Sequence, residues 1–137
     1  MKHLLDTDIC IYWLKGVDEI KKGVKRTGED NLAISIITLG ELKYGAYYSK
    51  HVKQNLQKLA DFLRKVELVY LDEKSIDQYG NIKADLRRKG RLIEDFDLLN
   101  ASIALSKDWT FVTNNLRHYE RIEGLKIENW MEDGGLR

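Results

Sequence analysis

Leu4-Leu5-Asp6-Thr7-Asp8 is the stretch on which the reading of the chain turns. A short apolar run ends abruptly in two carboxylates, and an apolar segment of helical character begins at Ile9. A strand that gives way at once to a helix is how an open α/β sheet begins, and such sheets gather their ligand-binding residues beyond the carboxyl ends of the strands. Asp6 is therefore expected at the end of the first strand, on the working edge of the sheet.

Outward from that stretch, Ile9 to Leu14 read as a short helix, with Thr7 or Asp8 as N-cap and Gly16 as its stop. Residues 17–30 are charged, with Ile20 and Val24 at helical spacing, and predict a surface helix. Leu32-Ala33-Ile34-Ser35-Ile36 predicts the second strand. Thr38-Leu39-Gly40-Glu41 has capping-box spacing, so a helix carrying Leu42, Tyr44 and Tyr47 is expected to start there. Tyr44, Tyr47 and Tyr48 read as packing residues. Leu56, Leu59, Ala60, Leu63 and Val66 put one apolar stripe on a further helix.

Leu68 to Leu71 predict the third strand, and Asp72 opens a helix through Ile76, Tyr79, Ile82 and Leu86 that stops at Gly90. Leu98, Ala101, Ser102 and Leu105 predict the next helix, Trp109 to Thr113 a fourth strand, and Leu125 to Ile127 a weaker fifth. Glu132 to Arg137 read as a frayed tail. Strands alternating with helices imply an α/β domain, residues 1–137, with a central parallel sheet covered on both faces.

The chain of 137 residues suits one domain. With 23 basic against 22 acidic residues, no segment is devoted to bulk polyanion binding. The single cysteine, Cys10, has no internal disulfide partner and lies among Ile9, Ile11, Tyr12 and Trp13, as a buried small hydrophobe does. No charged start leads into a long apolar stretch, and no segment approaches the roughly 20 apolar residues of a membrane span. The cytoplasm is the expected compartment.

Asp6, Glu41 and the pair Asp95 and Asp97 stand at or near strand ends or helix starts, and the turn after the fourth strand adds Thr113, Asn114 and Asn115. In a parallel sheet these places share one edge. Two carboxylates about 4 Å apart repel by roughly 4 kcal/mol at an effective dielectric near 20, so such a cluster calls for a cation. Oxygen ligands suit Mg²⁺ or Mn²⁺, and a metal held so activates water and shields a phosphodiester. His3, His51 and His118 show no ligand spacing to one another. Plainer readings stand beside this one: Asp6 and Asp8 as caps of the first helix, Glu41 as the partner of Thr38 in a capping box, and Asp95 or Asp97 as caps of the helix at Leu98.

These segments together resemble the PIN-domain family, and within it the VapC-type toxins of bacterial and archaeal toxin–antitoxin pairs. The resemblance is carried by Leu4-Leu5-Asp6-Thr7, by Ser35 through Leu42 with Tyr44-Gly45, and by Gly90 through Ile93 leading to Asp97-Leu98-Leu99-Asn100-Ala101. Thr113-Asn114-Asn115, Tyr119, Gly124-Leu125 and Glu128-Asn129-Trp130 complete it. It implies a three-layer α/β/α sandwich and a Mg²⁺ (or Mn²⁺) site at Asp6, Glu41 and Asp97, with Asp95 as an additional acid. Asn115 falls where many members carry a fourth acid, and Thr113 supports the ligand shell.

The resemblance also implies endoribonuclease activity on a structured RNA such as tRNA, homodimerisation, and inhibition by a VapB-type antitoxin whose complex binds promoter DNA. Arg87, Arg88 and Arg91 are candidates for RNA phosphates, or simply cations that suit a helix end. Two other readings compete. One is a haloacid-dehalogenase-type phosphatase with Asp6 as nucleophile and Asp8 as acid; the other is a module that grips RNA or a partner protein without cutting.

Overall fold

A computed structural model of the chain describes residues 2–131; the expected tail, residues 132–137, lies outside the described residues. Five short strands form an all-parallel sheet: β1 (His3–Leu5), β2 (Leu32–Ser35), β3 (Glu67–Val69), β4 (Thr110–Val112) and β5 (Lys126–Glu128), in the order β3-β2-β1-β4-β5. β2, β3 and β4 are each a residue or more shorter than their apolar runs suggest, and β5 is displaced by one residue. His3 is level with Leu32 on one side and Thr110 on the other, so β1 is central.

Strand residues alternate between two cores. Leu4, Ala33 and Phe111 face one side, where they meet Ile82 and Leu86 of α5 (Glu73–Arg88), Leu98 and Ala101 of α6 (Asp95–Lys107) and Tyr119 of α7 (Leu116–Tyr119). Leu5, Ile34 and Val112 face the other. There they meet Ile9 and Cys10 of α1 (Thr7–Leu14), Ile20 and Val24 of α2 (Asp18–Thr27), Leu42 of α3 (Ile36–Tyr47) and Leu59 and Phe62 of α4 (Val52–Leu63). Both faces of the sheet are thus covered, which is why its strands read as unbroken apolar runs. Cys10 is fully buried, as expected.

From β1 the chain goes to β2 on one side and later returns to place β4 on the other. This reversal opens a crevice beyond the carboxyl ends of β1 and β4, the usual ligand position in such sheets. The Asp6 amide closes it below by donating to the Val112 carbonyl at 2.9 Å.

Several local expectations are corrected. Thr7 and Asp8 lie inside α1 and do not cap it; the cap is Asp6, as the plainer reading of that residue had it, its side chain accepting from the Thr7 amide. Helix α3 begins at Ile36 with Ser35 as its cap, its hydroxyl accepting from the Thr38 amide at 3.1 Å. The capping box at Thr38 therefore does not form, and Glu41 is free of that duty. Helix α6 begins at Asp95 with Glu94 in the cap position, so neither Asp95 nor Asp97 is a cap. Helix α7 was not expected. Tyr44, Tyr47 and Tyr48 are 68%, 63% and 81% exposed and not packing residues. The buried stripe of α3 is only Thr38, Leu42 and Ala46, a narrow band that turns the tyrosines away from the core.

Candidate active site

Asp6 is built into the crevice from two sides. One carboxylate oxygen accepts from the Thr7 amide at 2.8 Å and the other from the Thr113 hydroxyl at 2.9 Å. Thr113 is itself fixed, its amide donating to the Glu128 carbonyl and its hydroxyl oxygen accepting from the Asn115 amide. Asp6 is only 8% exposed. Burial pushes its carboxyl up to about 6, against the lowering effect of its two hydrogen bonds and with help from the charges of Asp97 and Asp8.

Asp97 stands in the first turn of α6. Burial raises its carboxyl as well; His118 nearby works in the opposite direction, while Glu94 and Asp8 add to the rise. The Tyr119 hydroxyl bonds to Asp97, and that phenol is held firmly protonated by burial and by the charges of Asp6 and Asp97. His118 brings Nε2 to 3.5 Å from the Asp97 carboxylate, too far for a hydrogen bond.

Glu41 is held by the Thr7 hydroxyl at 2.5 Å. Behind it runs a chain of polar groups whose direction follows from proton count. A carboxylate only accepts, so Thr7 gives its one hydroxyl proton to Glu41 and accepts from Thr38 at 3.1 Å. Thr38 accepts in turn from the Asn100 side-chain amide at 3.0 Å, and the Asn100 oxygen accepts from Ser35. Thr38, Ser35 and Asn100 are all buried. Asn100→Leu leaves Ser35 without its acceptor and Thr38 without its donor, and is expected to cost about 1–3 kcal/mol. Thermal unfolding checks this; an unchanged melting temperature would contradict the network.

Asp6, Asp8, Glu41 and Asp97 line one cleft of about 690 Å³ together with Thr7, Tyr44, Phe96, Asn115 and Tyr119. Among the described residues no lysine or arginine lines it. That donor set, all oxygen and short of positive charge, fits a hard divalent cation. Among the described residues no three His, Cys, Asp or Glu side chains are drawn together as a ready-made metal cage. An ion here would be bound by one or two carboxylates and keep its waters, as Mg²⁺ does.

The structure brings Asp6, Glu41, Asp97 and Asn115 to this cleft, with Thr113 immediately behind Asp6. It does not bring Asp95, which accepts from Lys83 and from Tyr79 at 2.8 Å each and lines a different hollow. Those bonds, Lys83 foremost, lower its carboxyl below the usual range. Asp95 is thereby engaged on the α5 side, a correction to its expected place in the ligand set. Arg87, Arg88 and Arg91 are exposed at the end of α5 and do not line the cleft.

Sequence reasoning missed Phe96, Asp8 and the tyrosines as cleft residues. Tyr44 stands three positions after Glu41, hence on the same helix face, which was the available signal. The phosphatase reading fits poorly, since it gives no role to Glu41 or Asp97, which share the cleft with Asp6.

The family model described as the PIN domain matches residues 3–125. Over 132 residues the chain is 39% identical to Ribonuclease VapC2 of Rickettsia felis, covering 95% of this chain and 98% of that one. Over 130 residues it is 37% identical to the tRNA(fMet)-specific endonuclease VapC of Salmonella typhimurium, again covering 95% and 98%. The fold superposes with a TM-score of 0.90 on a chain of the crystal structure of VapBC2 from Rickettsia felis bound to a DNA fragment from their promoter. There the identity is 39%, with 95% of this chain and 99% of that chain covered.

Proposed function

The chain belongs to the PIN-domain family, alongside the VapC ribonucleases, and from that premise we propose that it is a Mg²⁺-dependent endoribonuclease acting on tRNA or another structured RNA. The observation that carries this reading is the meeting of carboxylates from the β1–α1 junction, α3 and α6 in one cleft, with no cationic side chain lining it among the described residues. Residues 1–137 act as a single PIN domain.

A divalent ion, Mg²⁺ or Mn²⁺, supplies a water of lowered pKa and neutralises charge on the phosphodiester when bound. Asp6 and Asp97 hold it, and Glu41, steadied on the Thr7 hydroxyl, completes the site or orients the attacking water. Thr113 fixes Asp6, Tyr119 fixes Asp97, and Asn115 lines the cleft where its neutral side chain lowers the negative charge. Arg87, Arg88 and Arg91 meet RNA phosphates outside the cleft.

The protein is the toxin of a toxin–antitoxin pair and is restrained by a VapB-type antitoxin, through which the complex reaches promoter DNA. Solved VapBC complexes on DNA, 39% and 37% identical to this chain, support that reading. It works in the cytoplasm as a homodimer; among the described residues no helix is long and apolar enough to cross a membrane. The test is sequencing of fragments from total cellular RNA treated with antitoxin-free protein and Mg²⁺. Discrete cuts, suppressed by the cognate antitoxin, are expected; intact RNA would overturn the reading.

The metal requirement has its own signature in stability. Asp6 has a higher pKa folded, about 6, than its ordinary 3.8. The folded form therefore binds the extra proton, and stability falls as pH rises between these values, by about 3 kcal/mol from this group. A cation offsets that loss only where Asp6 is ionised. Saturating Mg²⁺ or Mn²⁺ is thus expected to raise the melting temperature more at about pH 7 than at about pH 5; equal shifts would contradict it.

A further inference from the structure

We propose that Tyr44 and Phe96 form two base-stacking subsites on the walls of the acidic cleft and receive unpaired nucleobases flanking the phosphate to be cut. The proposal rests on the ribonuclease reading above. Tyr44 is 68% and Phe96 57% exposed, yet both line the cleft that holds Asp6, Glu41 and Asp97. They arrive from helices packed on opposite faces of the sheet, α3 and α6, so the acids lie in a trough with an aromatic ring contributed from each side.

The charge of the cleft gives such rings a part in binding. Among the described residues its lining offers RNA carboxylates and no lysine or arginine, so no side chain there attracts the phosphates and that attraction falls to the bound cation. Flat aromatic faces are the sequence-tolerant alternative, and they act on bases that are free to leave the helical stack. Bases in a duplex are already stacked on one another. Tyr48, which caps α3, lies parallel to Tyr44 at 5.8 Å between centroids and 11° between planes. The cleft is thus matched to a single-stranded segment, with cutting confined to loops or ends.

The experiment uses antitoxin-free protein and a short oligoribonucleotide carrying the fluorescent base 2-aminopurine, both single-stranded and in a fully paired duplex. Binding is read by quenching with Ca²⁺ in place of Mg²⁺, and cleavage by KM and kcat in Mg²⁺. Wild type is expected to quench the single strand and bind it more tightly than the duplex. Tyr44→Ala and Phe96→Ala should each weaken binding roughly five- to hundred-fold. The loss should appear in KM with kcat nearly kept, since stacking acts on bound substrate and transition state alike. Tyr44→Phe, which keeps the ring, should behave as wild type. Both alanine sites are exposed, so folding should be undisturbed, as circular dichroism would verify.

Alanine variants that bind the single strand as wild type does, or equal affinity for the duplex, would overturn the proposal. Unchanged RNA affinity with an altered sedimentation coefficient would also overturn it, identifying the rings as a contact between copies. If wild type cuts no RNA in Mg²⁺, the ribonuclease reading fails whatever the quenching shows. If it cuts and the alanine variants keep KM, the stacking subsites alone fail.

Discussion

Asp6→Asn is expected to reduce RNA cleavage by at least about a hundred- to a thousand-fold, the range for removing one preorganised electrostatic contact of a transition state, while making the metal-free protein more stable at neutral pH. The two effects share one cause. Asp6 is buried, and ionising it there is opposed by desolvation and by Asp97 and Asp8. In the asparagine variant that charge is gone. The relief is bounded by about 3 kcal/mol and is reduced by weaker hydrogen bonds from Thr7 and Thr113 once the acceptor is neutral. A net gain of about 1 kcal/mol, a few degrees in melting temperature in EDTA, is the expected result. Retained cleavage would remove Asp6 from the site, and a clear loss of stability would remove the account of its burial.

Gly23→Ala should cost on the order of 3 kcal/mol and lower the melting temperature by roughly 10 °C. On helix propensity alone the change is favourable by about 0.5–1 kcal/mol. Gly23, however, lies where α2 meets Trp130, and a Cβ there would be 2.3 Å from Cδ2 and 2.4 Å from Cε3 of the indole. Trp130 is fully buried, and its indole N–H donates to Glu128 at 3.0 Å, so shifting the ring disturbs both its packing and that bond. Gly80→Ala in α5 is the matched control. Its added Cβ meets nothing within 4 Å, so the same substitution should stabilise by about 0.5–1 kcal/mol. Equal effects at the two positions, read by denaturant unfolding, would refute the packing argument.

The central strand and its terminal acid were legible because Leu4-Leu5-Asp6 changes character so sharply, and alternation of strands and helices then implied the parallel sheet. The start of α3 was not. Ile34-Ser35-Ile36-Ile37 is rich in β-branched residues and reads as strand, and Thr38-x-x-Glu41 imitates a capping box three residues downstream. Only the packing of Ser35 against Asn100 shows where the helix begins.

Asp95 and Asp97 carry a further lesson. They are two residues apart on α6, so their side chains diverge by about 200° around the axis. One can face the cleft while the other faces Lys83 of α5, as they do. That divergence was available from spacing once both acids were placed in a helix. The exposure of Tyr44 and Tyr48 was not available, because it depends on which face of α3 its neighbours cover. The four-residue helix α7 is too short to show a period, so the turn that brings Tyr119 to Asp97 left no pattern to read.

The most direct test of the acidic cleft as a ribonuclease centre is cleavage of RNA by antitoxin-free wild type and Asp97→Asn, each in Mg²⁺ and in EDTA, with equal folding verified by circular dichroism. Cutting by wild type in Mg²⁺ only, and none above background by Asp97→Asn, is the predicted result. Cutting that survives EDTA, or an Asp97→Asn variant as active as wild type, would contradict it.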